Sequence, residues 1–175
     1  AAIIYDSPIT GSQRTITYTE LQDETARFAG VLSGLGVAKG DRVIIYMPMV
    51  PETAVAMLAC ARIGAIHSVV FGGFAPNELA TRITDSEPKA IVTASCGIEP
   101  ARIIEYGPIV KEAMEISPHD VGHVVMLQRE QSRSELSGAN IHDWNDVMES
   151  AKPVECVPVK ATDPLYILYT SGTTG

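Results

Sequence analysis

The last six residues of the chain are hydroxyl residues and glycines that follow an apolar run, a composition that predicts a short loop. They are Thr170, Ser171, Gly172, Thr173, Thr174 and Gly175. Glycine lets the backbone turn its N–H groups inward and the hydroxyls add donors, so such a loop after a strand can cradle phosphate groups. Its spacing matches neither a Walker loop nor a Gly-x-Gly-x-x-Gly loop, and an ordinary polar turn remains the alternative.

A second glycine loop, Phe71-Gly72-Gly73-Phe74, follows a predicted strand. In open α/β sheets, ligands bind at the carboxyl ends of the strands. An aromatic ring beside bare backbone suits a flat ligand ring, which makes this loop a candidate binding element. The alternative is a tight turn between a strand and a helix, with two aromatic side chains in the core.

One arginine follows another predicted strand, in the sequence Glu99-Pro100-Ala101-Arg102. A guanidinium group donates hydrogen bonds in a planar fork that matches phosphate. Arg102 is therefore a candidate phosphate contact, and a surface ion pair is the alternative.

The histidines do not form a convincing metal site. His119 and His123 are four residues apart, as in a metal-binding pair on a helix. However, Pro118 precedes them, a glycine interrupts them and the Glu of a His-Glu-x-x-His site is missing, so the pattern favours a solvated loop. His67 and His142 have no ligand spacing. We predict no metal ligand and no catalytic residue within the chain.

The composition indicates a globular protein and narrows the class of partner. Apolar residues make up 46% of the 175 residues, and 13 basic against 21 acidic residues give a net charge of −8. This charge argues against nucleic acid or an anionic membrane surface as the main partner, whereas a small anion needs only local positive potential. No apolar run approaches the ~20 residues of a membrane span. Three cysteines without framework spacing indicate reduced thiols, as in the cytoplasm or the mitochondrial matrix.

Apolar periodicity predicts strands that alternate with helices. A hairpin of Ala1–Asp6 and Gln13–Tyr18 comes first, followed by a helix with a capping box at Thr19–Gln22. Further strands are predicted at Arg42–Met47, Ala65–Phe71, Lys89–Ala94, Val121–Leu127 and Leu165–Tyr169. Further helices are predicted at 51–64, Pro76–Ser86, Pro108–Ser117 and Trp144–Ser150. The rhythm predicts an α/β fold with a mixed, largely parallel sheet flanked by helices, and Val154–Val159 as an extended edge segment.

Several of these stretches resemble one family in the same order along the chain. Tyr169–Gly175 resembles the first half of the signature of the adenylate-forming enzymes, which include acyl-CoA synthetases, adenylation domains and luciferases. Leu35–Val43 is similar to an early turn of that family, and Ile66–Phe74 resembles the short-chain acyl-CoA synthetases. Gly97–Arg102, followed by Glu105-Tyr106, resembles the propionyl-CoA synthetase-like branch. The resemblance therefore covers almost the whole chain.

The resemblance implies an acid–thiol ligase. Such an enzyme activates a short carboxylate with ATP and Mg²⁺, releases pyrophosphate, and transfers the acyl group from the adenylate to coenzyme A with release of AMP. It implies that Thr170–Gly175 hold the ATP phosphates and that Phe71–Gly73 and Glu99–Arg102 line the coenzyme A site. Acetyl-CoA synthetases have a second arginine where Glu99 stands, and a carboxylate there would repel a phosphate.

The resemblance also implies that residues 1–175 are part of the large N-terminal domain, truncated at both ends. The metal-binding Glu, the ribose-binding Asp, the acyl pocket and the catalytic Lys would follow Gly175, so the 175 residues alone are expected to be inactive. Propionate is the favoured substrate, and an acetyl- or acetoacetyl-CoA synthetase is the near alternative. A non-catalytic nucleotide- or CoA-binding module is an alternative of another class. The oligomeric state does not follow from the sequence.

Overall fold

The computed structural model describes residues 1–170, which form strands and helices in alternation. The strands are β1 (Ile3–Ser7), β2 (Ser12–Ile16), β3 (Arg42–Met47), β4 (Ile66–Phe71), β5 (Ala90–Ala94), β6 (Cys96–Glu99), β7 (Arg102–Glu105), β8 (His123–Leu127) and β9 (Ile141–Asp143). The helices are α1 (Tyr18–Gly34), α2 (Pro51–Arg62), α3 (Pro76–Ser86), α4 (Tyr106–Ile116) and α5 (Trp144–Ser150). None of these helices combines the length and apolarity needed to cross a membrane.

The central sheet has the strand order β4-β3-β5-β8-β9, and each neighbouring pair is parallel. This confirms the predicted parallel sheet flanked by helices. Its inner strands are covered on both faces, so they are apolar along their length instead of alternating. Every residue of Val43–Met47 and of Ala90–Ala94 is buried. The predicted β1–β2 hairpin is also present, as a separate antiparallel pair.

The strand connections of the sheet reverse their direction beside β3. The chain leaves β3 through α2 to reach β4, and then crosses back through α3 to β5 on the other side of β3. Because parallel crossovers are right-handed, two connections that move in opposite directions place α2 and α3 on opposite faces. The carboxyl ends of β3 and β5 therefore form a topological switch point, the kind of place where such sheets bind ligands.

Helix α1 begins earlier than the sequence predicted. Thr17 is its N-cap, because the Thr17 hydroxyl accepts a hydrogen bond from Glu20 N at 3.2 Å and the Glu20 carboxylate accepts one from Thr17 N at 2.7 Å. The predicted box at Thr19–Gln22 is wrong, since Thr19 already lies inside the first turn. The chain is still extended at Thr17, directly after β2 ends at Ile16.

Two stretches for which the sequence predicted no strand contain short strands. An antiparallel hairpin, β6–β7, follows β5, with Glu99 and Arg102 paired at its tip. Strand β9 adds to the far edge of the sheet beside β8. These strands have only three or four residues, too few to show a periodic pattern in the sequence. By contrast, the predicted helix starts at Pro51 and Pro76 are confirmed, because proline suits the first turn of a helix.

Residues 152–160, here called the strap, cross the outside of α1 and α2. Val154 N donates to Ala26 O at 3.1 Å, and Arg62 Nε donates to Val154 O at 2.7 Å. Val157 N donates to Arg62 O at 2.9 Å. The predicted place of Val154–Val159 at the edge of the sheet is therefore wrong, because helix carbonyls and one arginine supply its partners.

The predicted strand Leu165–Tyr169 is reduced to a single parallel bridge between Tyr166 and His67 of β4. His67 N donates to Leu165 O at 3.3 Å and Ile167 N donates to His67 O at 2.9 Å. The strand prediction is wrong in extent, because the remaining backbone groups of the segment do not enter a ladder with β4. The segment nevertheless lies beside β4 and runs parallel to it.

Candidate functional site

The Phe71–Phe74 loop lies at the carboxyl end of β4, on the same side of the sheet as the carboxyl ends of β3 and β5. The Phe71 side chain is 69% exposed, whereas Phe74 packs partly against the core. Their ring centroids are 5.9 Å apart in an edge-to-face arrangement. The alternative of two core aromatics therefore fails for Phe71, whose ring faces solvent beside the backbone of Gly72 and Gly73.

Two buried tyrosines hold this loop from below. The Tyr106 hydroxyl donates to Gly72 O, and the Tyr46 hydroxyl donates to Phe74 O at 3.0 Å. Their rings are 4.8 Å apart, and both side chains are almost completely buried. Tyr46 comes from β3 and Tyr106 from the start of α4, so two elements of the sheet core fix the backbone of the loop.

Tyr106 also joins the loop to the β6–β7 hairpin. A Cβ atom on Gly72 would collide with Tyr106 Oη and lie 3.0 Å from Met47 O. A Cβ atom on Gly97 would collide with the same hydroxyl and lie 2.7 Å from Tyr106 Cζ. Neither position therefore has room for a side chain, because the same phenol ring lies against both glycines. This contact unites two stretches that the sequence presented as separate candidates.

The sequence gives no role to Tyr106, although it lies beside a stretch that resembles a known family. A buried tyrosine normally finds a hydrogen-bond partner for its hydroxyl. That rule could have marked Tyr106 as a residue with a distant partner. It could not identify Gly72, because the contact depends on the packing of α4 against the end of β4.

Both hydroxyls are neutral hydrogen-bond donors at physiological pH. Burial raises the pKa of Tyr106 to about 12, opposed by the charge of Arg129 and supported by Cys96 and Glu99. Burial also raises the pKa of Tyr46, with a further increase from Tyr106. The loop is thus held by two uncharged donors whose protonation does not change in the working pH range.

Glu99 and Arg102 face each other at the tip of the hairpin. Arg102 Nε donates to Glu99 Oε2 at 2.9 Å, and the Arg102 and Glu99 side chains are 69% and 46% exposed, respectively. Pro100 and Ala101 form the turn between them. Within residues 1–170, Arg102 is therefore paired with Glu99 and not with the Phe71–Phe74 loop. An exposed pair of this kind contributes only ~0–1 kcal/mol, so a stronger anion can displace it.

The terminal loop begins at Thr170, and Ser171, Gly172, Thr173, Thr174 and Gly175 lie outside the described residues. Tyr169, directly before the loop, packs on α3, where its hydroxyl donates to Asp85. Burial and the Asp85 carboxylate raise the pKa of Tyr169 to about 12, so it donates this bond as a neutral phenol.

Three of the four histidines have hydrogen-bond partners within the described residues. His119 Nε2 lies 2.9 Å from Pro88 O, and His123 Nδ1 lies 3.1 Å from His142 Nε2. Burial and His123 lower the pKa of His142, which favours its neutral form. Across residues 1–170 there is no group of three or more His, Cys, Asp or Glu side chains placed to hold a metal ion.

His67 should make stability depend on pH. Its Nδ1 is buried without a hydrogen-bond partner among the described residues, the side chain is 6% exposed, and burial lowers its pKa. The folded value lies below the unfolded value of ~6.5. The neutral ring therefore contributes stability that is present above pH ~6.5 and is lost as the pH falls toward the folded pKa, with a slope of at most ~1.4 kcal/mol per pH unit. Urea unfolding from pH 7.5 to 5.5 should show a shallower slope for His67→Gln, and equal slopes would contradict the assignment.

Comparison with known proteins identifies the family of the chain. The sequence matches the family model for AMP-binding enzyme over residues 1–175. An uncharacterized protein of Pseudomonas aeruginosa is 59% identical over 174 residues, which cover 99% of this chain and 28% of the relative. Acyl-CoA synthetase short-chain family member 3, mitochondrial, of Bos taurus is 53% identical over 175 residues, which cover 99% of this chain and 26% of the relative. Acetyl-coenzyme A synthetase of Yersinia pestis is 47% identical over 178 residues, which cover 99% of this chain and 27% of the relative.

The matched residues thus cover nearly all of this chain, and the chain spans about a quarter of the length of these relatives. The match to the family model runs through the Phe71–Phe74 loop, the β6–β7 hairpin and the terminal loop alike. The chain therefore belongs to the family of AMP-binding enzymes.

Proposed function

We propose that the full-length protein is an AMP-forming acid–thiol ligase that converts a short-chain carboxylate into its acyl-CoA through an acyl-adenylate. The observation that supports the proposal is that Tyr106 donates a hydrogen bond to Gly72 O and packs against Gly97, which holds two predicted coenzyme A segments next to each other. The names of two relatives, a short-chain acyl-CoA synthetase and an acetyl-coenzyme A synthetase, support the same reaction class.

The terminal loop is the proposed site for the ATP phosphates. Its backbone N–H groups and hydroxyls would donate to phosphate oxygens as the charge shifts during formation of the adenylate. Residues 161–175 contain no Lys or Arg, so the counter-charge must come from other residues or from Mg²⁺. Residues 1–170 offer no cluster of metal ligands, and we assign no Mg²⁺ ligand to them.

Coenzyme A is proposed to bind along the Phe71–Phe74 loop and the hairpin. The exposed Phe71 ring can stack on an adenine, and Gly72 and Gly73 let a ligand approach their backbone. Arg102 would exchange its carboxylate partner, Glu99, for a phosphate, because a charge-assisted bidentate pair is stronger than an exposed ion pair.

Propionate is the proposed substrate, with acetate and acetoacetate as the alternatives. One relative is named as mitochondrial, and we extend a matrix or cytoplasmic location to this protein as part of the proposal. The size of the acid is best tested directly. Full-length protein should release pyrophosphate with MgATP and propionate, with a lower KM for propionate than for acetate or acetoacetate.

The variant Arg102→Ala tests the coenzyme A assignment in the same protein. We expect the KM for CoA to rise about tenfold. One charge-assisted phosphate contact contributes ~1.5–3 kcal/mol, and part of this offsets the loss of the Arg102–Glu99 ion pair when CoA binds. The KM for ATP should stay within about twofold. An unchanged KM for CoA would refute the contact. A full-length protein that binds ATP and CoA but releases no pyrophosphate with any short acid would instead support the non-catalytic binding module.

A further inference from the structure

Helix α3 carries a row of polar side chains that reaches both candidate ligand loops. Glu78, Arg82 and Asp85 follow one another at about one helical turn, so they share one side of α3. The Arg82 side chain is 15% exposed. Its Nη1 donates to Glu78 O at 2.7 Å and to Glu78 Oε2 at 3.0 Å, which fixes the guanidinium on the helix surface.

The guanidinium of Arg82 contacts two aromatic rings from different parts of the chain. Arg82 Cζ is 4.9 Å from the centroid of the Phe74 ring and 5.0 Å from the centroid of the Tyr169 ring. The Tyr169 hydroxyl donates to Asp85 Oδ2 at 2.5 Å, so its ring is held on α3 at two points. A planar, permanently charged guanidinium can stack on aromatic faces in a way that an ammonium group cannot.

The two rings belong to the two candidate binding segments. Phe74 ends the loop that Tyr46 and Tyr106 fix from below, and Tyr169 directly precedes the terminal loop. If Arg82 only stabilised α3, its ion pair with Glu78 would be sufficient, and the contacts with the Phe74 and Tyr169 rings would not be needed. Arg82 instead links the end of one loop to the beginning of the other.

We propose that Arg82 is a positioning residue that sets the start of the ATP-phosphate loop relative to the coenzyme A loop. The identity of the two ligands rests on the proposed function. Arg82 touches neither ligand and acts through Tyr169 on one side and through Phe74 on the other. Asp85 completes the arrangement by holding the Tyr169 hydroxyl.

The test compares three variants of the full-length protein in steady-state kinetics. Arg82→Gln should raise the KM for ATP and the KM for CoA, each about tenfold, which corresponds to ~1.4 kcal/mol. Tyr169→Leu should raise only the KM for ATP, and Phe74→Leu only the KM for CoA. Arg82→Lys, which keeps the charge without the planar stacking group, should recover part of both losses.

The matched control is Arg27→Gln. Arg27 also lies on a helix, α1, with an acidic residue four positions earlier, Asp23, at 3.9 Å. Its loss should lower the melting temperature without changing either KM. Unchanged KM values for Arg82→Gln, or an equal rise for Arg27→Gln, would overturn the positioning role.

Direct titration of ATP and of CoA into the same variants separates the two proposals. If the parent protein releases no pyrophosphate, the ligase function fails. The positioning role is then decided by affinity alone. Weaker binding of both ligands to Arg82→Gln, with unchanged binding to Arg27→Gln, supports it, and unchanged binding to Arg82→Gln overturns it.

Discussion

Gly97→Ala is expected to destabilise the protein by about 1–3 kcal/mol, a typical cost of overpacking a rigid site. The new Cβ would collide with Tyr106 Oη and approach Tyr106 Cζ to 2.7 Å. The Tyr106 ring is 1% exposed and packs against Tyr46, so it cannot move aside without cost. Its displacement would also break the hydrogen bond to Gly72 O. Thermal and urea unfolding measure the first effect, and a raised KM for CoA in the full-length protein measures the second.

A double-mutant cycle isolates the contact. Tyr106→Phe removes the hydroxyl that the new Cβ would meet, so the double variant Gly97→Ala/Tyr106→Phe should lose less stability than the sum of the single changes. The recovery should be partial, because the ring carbons stay close to position 97. Additive losses would show that Gly97 and Tyr106 do not constrain each other.

Gly30→Ala is expected to loosen the strap and to cost about 1–2 kcal/mol. An alanine in a helix normally stabilises it by ~1 kcal/mol relative to glycine, but here the Cβ would collide with Lys152 O. The strap must then move away from α1. That movement breaks the hydrogen bonds of Val154 with Ala26 and Arg62, each worth ~1 kcal/mol. Faster tryptic cleavage after Lys160, together with a lower melting temperature, would show this result.

Gly34→Ala in the same helix is the control. Nothing lies within 4 Å of a Cβ at position 34, so this variant should be neutral or more stable by up to ~1 kcal/mol. If Gly30→Ala stabilised the protein as well, the strap would not require a glycine beneath it.

Two overlapping capping boxes show that the local sequence alone does not identify the residue at which α1 begins. Thr17 with Glu20 and Thr19 with Gln22 both have the required residue types and spacing. The pairing of Ile16 with Ile3 in the first hairpin keeps the chain extended up to Thr17 and selects the first box. The deciding contact comes from a strand partner, which the local pattern of the helix start does not contain.

The same limit explains the end of the described chain. Apolar, β-branched and proline-flanked segments at 154–159 and 165–169 have the local character of strands. Whether such a segment joins a sheet depends on which backbone groups lie opposite. The strap meets helix carbonyls and Arg62, and the 165–169 segment bonds to β4 only through the single bridge between Tyr166 and His67, so neither segment becomes a strand.

The amino-acid sequence correctly predicted the alternating α/β fold, the inner strands and the helix starts at Pro51 and Pro76. These features follow from apolar periodicity and from the fixed φ of proline, which act over a few neighbouring residues. It also indicated the glycine loop, the hairpin arginine and the terminal loop as candidate binding elements, and their resemblance to one family.

The contacts between these elements depend on how the helices and strands pack together. Tyr106 joins Gly72 to Gly97, Glu99 occupies Arg102, and Arg82 joins Phe74 to Tyr169. Each contact links residues that the packing of a helix or the register of a hairpin brings together. Such contacts depend on the whole arrangement of layers, and no local pattern of residue types contains that arrangement.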